Sequence, residues 1–480
     1  MDAGVRLRYQ EEMLDEARTS IADDDPLRAL GLLRRHVTGD FGDIVPDLAA
    51  GNGCRLVDQR DGTTYLDMSM YFSSAPLGHG HPALRTPEFE ADMLAAARVK
   101  PSNPDYATVA QARFVTAFQR VLGDPELPLL FFIDGGAMAV ENALKVAFDW
   151  KTQRNAARGL AVRGWRVLHL AGAFHGRSGY TLSLTNTDRE KTRDYPVFDW
   201  PRIPSPVVHD PALWSVGHLL PDETAAVESA KDALDRYPGE IACFVYEPIQ
   251  GEGGDRHLRP MFIRELESLC IDRDVLTVAD EVQTGGGLTG RAWAYQDLQL
   301  RPDLVAFGKR TQVCGVMGGR RVLEIPANAF RSPSRISSTW GGSLVDMVRC
   351  THILRVVEEE DLLANAWQRG RSLLAGLRYL AADHPDFVSQ ARGRGLMCAI
   401  TLPDTRTRDL VIAYCRHRYR TLFLPCGTAS LRWRPPLTVT EADIAEALAA
   451  LRSAVREVAA DPTAGRDRTA ACAGSDIHGG

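Results

Sequence analysis

The sequence predicts an α/β protein, with a large domain built on a mostly parallel sheet and a smaller α+β domain beside it. Three observations carry that expectation. From about residue 105 to 310, apolar runs of strand length alternate with amphipathic helical segments. Strands that read as continuous apolar runs, separated by helices, indicate a parallel sheet covered on both faces. Beyond about residue 345 the pattern changes to long helices with short strands between them, and 480 residues exceed the usual span of one domain.

Residues 1–45 read as helical, with Gly39 near the stop, and "CRLVDQRDGTTYLDMSM" reads as a hairpin about the turn signal Asp61-Gly62. "PLLFFID" (128–134) is a strand that feeds a helix on which Val140, Leu144, Ala147 and Lys151 share one face. Further strands are expected at 166–174, 241–248, 275–282 and 303–309, with a helix over 261–274. A long helix around "SLVDMVRCTHILRVVEEEDLL" leads out of this region to helices near 364–382 and 440–459 and strands at "GLMCAITL" and "SLRWRPP". The expected division is 1–77 (helical segment and hairpin, part of the small domain), 78–345 (large domain), 346–460 (small domain) and 461–480 (a disordered tail).

Composition excludes several classes of function. A formal charge of −6 gives no basic footprint for nucleic acid. No apolar run approaches the ~18 residues of a membrane span, and the N-terminus has no apolar core of signal-peptide type. The nine cysteines are scattered without a C-x-x-C pair, so neither a disulfide framework nor a metal site is expected, and a cytoplasmic setting fits.

Several strand ends carry polar chemistry. "GGGLTG" (285–290) matches G-x-G-x-x-G, yet no helix opens from it and no acidic partner follows at the right distance, so it reads as a backbone loop. "IDGGAMAVENALK" turns a strand into a helix at Gly136 and Ala137, where free N–H groups and the helix dipole suit a phosphate; an ordinary turn would look the same. "VADEVQTG" sets Asp280, Glu281 and Gln283 at a strand's C-terminal end, where open α/β sheets bind ligands. A cap or a structural ion pair competes with that reading. "AFHGR" offers Phe174, His175 and Arg177 as a stacking ring and a carboxylate clamp, and "EPIQGEGG" supplies Glu247 and Glu252. Lys309 ends the apolar run "DLVAFGK", an unusual place for a residue so seldom buried without a partner.

Taken in order, "GGA", "FHGR", "EPIQGEGG", "DEVQTG" and "FGK" resemble the class III aminotransferases over about residues 50–455. The resemblance implies fold type I of the pyridoxal-phosphate enzymes, with pyridoxal 5′-phosphate as cofactor. It makes Lys309 the lysine that forms a Schiff base with the cofactor and Asp280 the partner of its ring nitrogen. Gln283 would lie near the phenolic oxygen and Phe174 against the ring. Gly136 and Ala137 would hold the phosphate, with Thr339 of "SSTWGG" completing the site across a homodimer with shared active sites.

Longer segments, among them "AFHGRSGYTLSLTNT" and "LRWRPPLTV", are similar to the subgroup that transfers the 6-amino group of L-lysine to 2-oxoglutarate. Such an enzyme needs a cation several carbons from the reacting amine, and Arg177 is the candidate. The resemblance gives Arg434 the acceptor carboxylate nearer the cofactor, with Glu252 pairing Arg434 while the donor is bound. Ser337 and "YFSSAPLGHGHP" depart from that subgroup, so ornithine, 4-aminobutyrate or another ω-amino donor stays open. A racemase or aminomutase of the same fold, or a non-catalytic relative, is the remoter alternative. His175, Tyr246 and Cys314 receive no role at this stage.

Overall fold

The computed structural model describes residues 25–460. The turn at Asp61-Gly62 joins β1 (Arg55–Val57) to β2 (Thr64–Asp67) as an antiparallel hairpin. Next come β3 (Leu129–Ile133), β4 (Arg166–Leu170), β5 (Arg202–Ile203) and β6 (Ile241–Tyr246). A short hairpin of β7 (Ile249–Gln250) and β8 (Arg256–His257) precedes β9 (Leu276–Asp280), β10 (Leu304–Phe307) and β11 (Cys314–Gly318).

Seven of these strands form one sheet in the order β3-β11-β10-β9-β6-β4-β5. All run parallel except β11, which is antiparallel to both its neighbours. The mostly parallel sheet expected from the sequence is present, with two strands that the apolar pattern did not reveal. β5 is two residues long, and β11, "CGVMG", carries two glycines.

Alternation within the apolar runs explains the two-faced core. Leu304 and Ala306 of β10 join a cluster with Val140, Leu144 and Trp150 of the helix Gly136–Ala157. Val305 and Phe307 point the other way, into a cluster with Phe114, Phe118 and Phe262. Both faces are covered, so neither face of the strand can be polar. Lys151 ends the expected helical face and is buried; its Nζ donates to the carbonyl of Asp274 at 2.7 Å.

The helix Leu344–Glu359 packs on the helices Pro87–Ala97 and Val109–Val121 and stops at Asp361, whose φ of +49° breaks it before Leu362–Asp383. A second sheet follows from β12 (Ser389–Arg394), β13 (Met397–Thr401), β15 (Leu424–Cys426) and β16 (Ser430–Trp433), antiparallel in the order β12-β13-β16-β15. The intervening β14 (Thr421–Leu422) instead pairs in parallel with β2, which ties the N-terminal hairpin to the C-terminal segment. The helix Thr405–Tyr419 between them was not foreseen, because arginines and a histidine interrupt its apolar positions.

Within 1–45, the described helix is Pro26–His36; the expected tail over 461–480 and the segment 1–24 lie outside the described residues. No described helix is long and apolar enough to cross a membrane.

Candidate active site

Asp280 and Lys309 leave the C-terminal ends of neighbouring parallel strands. Ala306 of β10 is in register with Asp280 of β9, and Lys309 follows three residues later. The chain turns there sharply: Lys309 has φ +53° and opens the 3-10 turn Lys309–Thr311. A non-glycine residue in that region carries strain that the surroundings must hold in place. Gln312, also left-handed at φ +57°, supplies the hold by donating to the carbonyls of Ser74 at 2.8 Å and Lys309 at 3.2 Å. The Lys309 Nζ has no hydrogen-bond partner among the described residues. Burial, with the charge of Arg432 next in weight, pushes the Lys309 pKa down, so the amine releases its proton more readily than a surface lysine.

Asp280 is buried, and each of its oxygens has one partner. Its Oδ1 accepts from the Val282 N–H at 3.1 Å, and its Oδ2 lies 2.8 Å from His175 Nδ1. Burial opposes a charge on His175, yet the hydrogen bond and charge of Asp280, helped by Glu247, raise its pKa. His175 therefore has a role the sequence did not assign: it backs Asp280 from inside the protein. Glu247 accepts from the N–H groups of Phe174 (2.9 Å) and Gly251 (3.0 Å), and burial lifts its pKa to about 7.

The helix Gly136–Ala157 starts beside this pair. Gly135 reaches it with φ +92°, and Gly136 is held to glycine because a Cβ there would meet Val282 Cγ1 at 2.7 Å. The loop that carries Phe174 and Arg177 packs on the same helix end, where a Cβ on Gly176 would lie 2.5 Å from the Cβ of Ala137. Glu141 fastens that loop by accepting from Ser178 Oγ and the Tyr180 N–H, each at 2.7 Å. Three expected pieces of the site (Gly136-Ala137, Phe174 and Asp280) are therefore neighbours. Glu281 points away; it accepts from the Tyr295 N–H at 2.7 Å and braces the fold.

The substrate end differs from the expected pairing. Arg434 does not meet Glu252. It makes a bidentate pair with Asp255 at 2.8 and 2.5 Å, and both side chains are almost completely buried. Two residues earlier on β16, Arg432 donates to Glu252 at 3.0 Å. The strand period explains the correction: Arg432 and Arg434 share a face, but they stand opposite different residues of the β7–β8 connection. Lys191, buried and unmarked by any motif, lies 3.3 Å from the other Glu252 oxygen and 5.2 Å from the Phe174 ring centroid. Burial works against the Glu252 charge, but Arg432 and Lys191 together hold its carboxyl below the ordinary value.

Gln283 links the two ends. Its Oε1 accepts from Arg434 Nη2 at 2.8 Å and Arg432 Nη1 at 3.3 Å, which leaves its amide N–H groups free to donate elsewhere. Arg177 is exposed and makes no ion pair among the described residues, and Thr339 and Ser337 are exposed in the same way. The segment Met70–Ser73 was invisible to sequence reasoning: four successive residues have φ between +45° and +81°, one turn of left-handed helix. It places Phe72 5.7 Å from Arg432 and lets the Ser73 hydroxyl accept from buried Arg310 at 2.8 Å. Tyr246 and Cys314 are structural. Tyr246 donates to Glu267 at 2.8 Å, and Cys314 Sγ fills the space where a Cβ on Gly308 would sit.

A nucleophilic lysine and a buried aspartate at adjacent strand ends, beside a helix N-terminus, define a transferase of the pyridoxal-phosphate type. The residues present would suit that cofactor: a helix N-terminus where Gly136 leaves no room for a Cβ, an aspartate held in place from behind, and an amine with no hydrogen-bond partner among the described residues. The aminotransferase class-III family model matches residues 42–455, and the chain belongs to that family. It is 55% identical to the L-lysine-epsilon aminotransferase of Amycolatopsis lactamdurans over 88% of this chain and 94% of that one. The corresponding enzyme of Streptomyces clavuligerus is 52% identical, over 89% and 94%. The solved lysine aminotransferase from M. tuberculosis in the internal aldimine form superposes with a TM-score of 0.87 at 53% identity, covering 90% of this chain and all of that one.

Proposed function

We propose that the chain is a pyridoxal-phosphate-dependent lysine 6-aminotransferase, which moves the terminal amino group of L-lysine to 2-oxoglutarate and yields allysine and L-glutamate. The observation that carries this reading is the pairing of Lys309 and Asp280 at one end of the site with an exchangeable Glu252–Arg432 pair at the other. The names and high identity of the relatives support the choice of donor.

When bound, the cofactor supplies an aldehyde for imine exchange and a ring that accepts the electrons of the substrate carbon. The residues of the chain do the rest. Gly136 and Ala137 hold the phosphate through backbone N–H groups at the positive end of the helix dipole. Asp280, fixed by His175, holds the ring nitrogen; Phe174 covers one ring face; Gln283 offers its free amide N–H to the phenolic oxygen. The Lys309 amine, withdrawn from water, takes the proton from the donor carbon that bears the transferred amine. Arg177 receives the distant α-carboxylate of lysine. With the ω-amino end of lysine at the cofactor there is no carboxylate beside Arg432, and Glu252 neutralises it. When 2-oxoglutarate enters, its nearer carboxylate takes Arg432, and Glu252 keeps Lys191 as its partner. Thr339 completes the phosphate site of a second subunit in a homodimer. The division at residues 77, 345 and 460 belongs to the same proposal, with the substrate entering where the two larger units meet.

The test is to incubate the holoenzyme with L-lysine and 2-oxoglutarate and quantify allysine and glutamate. Equal amounts of the two products are expected, and Arg177→Ala should raise KM for lysine far more than KM for 2-oxoglutarate. Turnover with ornithine or 4-aminobutyrate but not lysine would remove the donor and keep the class. A racemised or isomerised amino acid formed without any acceptor would overturn the reaction itself.

A further inference from the structure

Beyond the transaminase site, a cavity of about 380 Å³ opens between the helix Leu362–Asp383, strand β12 and the loop around residues 207–214. That volume lies in the range of small-molecule sites, roughly 300–1,000 Å³. Its lining has a one-sided charge: four arginines, Arg371, Arg378, Arg392 and Arg394, and no aspartate or glutamate.

The helix delivers a patterned face to this cavity. Trp367, Arg371, Leu374 and Arg378 all line it, and their spacing of four, three and four residues puts them in one stripe. Arg371 and Arg378 are exposed and make no ion pair among the described residues. Trp367 is exposed too, at 45%. Two arginines about 10 Å apart along a helix can grip an anion from two sides.

The opposite wall is built rather than incidental. Arg392 is held by neutral acceptors: the carbonyls of Gly254 (2.5 Å), Asp255 (2.8 Å) and Gln390 (2.7 Å), and the hydroxyls of Thr401 (3.0 Å) and Ser430 (2.7 Å). These five bonds use all its N–H donors, so Arg392 adds a fixed charge to the wall, with no ion pair among the described residues. Only Arg394 is neutralised, by Asp297 at 2.6 Å, and its guanidinium lies 5.8 Å from the Trp214 ring centroid. His257, 5% exposed, also lines the cavity, and its Nε2 has no partner among the described residues. A buried polar atom without a partner is rare and is commonly satisfied by a ligand or water.

We propose that this cavity is a second binding site, for a small organic anion that joins a planar ring to a phosphate or carboxylate group. The ring packs on Trp367 and Leu374, and the anionic group is held by Arg371 and Arg378, with the fixed charge of Arg392 in the opposite wall. The apolar part of the lining discriminates against a bare inorganic ion, and the arginines discriminate against an uncharged ring.

The test uses the holoenzyme and adenosine 5′-monophosphate as probe, with adenosine and inorganic phosphate as the two half-ligands. Binding is read by calorimetry and by tryptophan fluorescence, while the visible absorption of the cofactor reports on the catalytic site. Saturable binding of the monophosphate is expected, at least about tenfold tighter than either half-ligand, with the visible spectrum unchanged. The Arg371→Ala/Arg378→Ala double variant should lose about tenfold or more in affinity, and Trp367→Ala a smaller amount, with the thermal midpoint unmoved because all three side chains are exposed. No saturable binding would overturn the proposal. So would equal affinity in the double variant, or a monophosphate that perturbs the cofactor spectrum and therefore binds at the catalytic site.

Discussion

Arg432, on β16, and Arg434, just past its end, stand two residues apart and both reach Gln283, yet their surroundings make them different instruments. Arg434 is 1% exposed against an Asp255 that is 0% exposed, gripped through two hydrogen bonds. Arg432 meets Glu252 through one hydrogen bond, and Glu252 is 22% exposed and shared with Lys191. Both members of the first pair are sealed from water and neither has a second ion-pair partner among the described residues, so it is permanent structure. In the second, Glu252 is partly exposed and has Lys191 as a second cation, so it can open at a cost that a substrate carboxylate can offset. Burial and the number of available partners, not residue type, decide which arginine can recognise a substrate.

Breaking each pair in turn separates the two roles. The largest effect on stability is expected at the locked pair. Asp255→Asn should destabilise the fold by about 3–5 kcal/mol by denaturant unfolding, because it leaves the Arg434 charge buried without a partner. Adding Arg434→Met should recover much of that loss, since a buried pair replaced as a unit costs little.

The exchangeable pair should respond the other way. Glu252→Gln should cost less stability than Asp255→Asn, because Glu252 is partly exposed and Arg432 keeps its hydrogen bond to Gln283. It should lower kcat/KM for lysine by about tenfold or more, corresponding to about 1.4 kcal/mol in the transition state, and spare 2-oxoglutarate. A third effect is electrostatic. Arg432 depresses the Lys309 pKa, so Arg432→Gln should raise it, and the amine then needs a higher pH to lose its proton. The pH at which the apoenzyme recombines with pyridoxal phosphate should move up, and an unchanged pH dependence would remove that influence of Arg432. The smallest change is expected for Lys191→Met, a few-fold rise in KM for 2-oxoglutarate, as Glu252 loses its second partner.

Much of this architecture was legible because one physical rule governs each part. Doubly covered strands must be apolar throughout, so β6, β9 and β10 stood out, and the polar residues that end them marked the site. A helix that starts hard against a strand end must open on a small residue, so Gly136 stood out as well. The choice between Arg432 and Arg434 was not legible, because both alternate onto the same strand face and only tertiary contact with Glu252 and Asp255 tells them apart. Lys191 lies in no motif and reaches Glu252 across the fold. The left-handed turn Met70–Ser73 contradicts the local preference of all four residues, and tertiary contacts hold it: Met70 is buried in the core, and Phe72 and Ser73 meet Arg432 and Arg310. His175 behind Asp280 required the register of separate strands.

The most direct test of the central claim is the visible spectrum of the purified enzyme beside that of Lys309→Ala, each before and after L-lysine and then 2-oxoglutarate. The wild-type band should bleach with lysine and return with 2-oxoglutarate, while the variant, even when loaded with pyridoxal phosphate, should show no catalytic cycling between the two states. A variant that cycles like the wild type would contradict the role given to Lys309 and, with it, the account of the site.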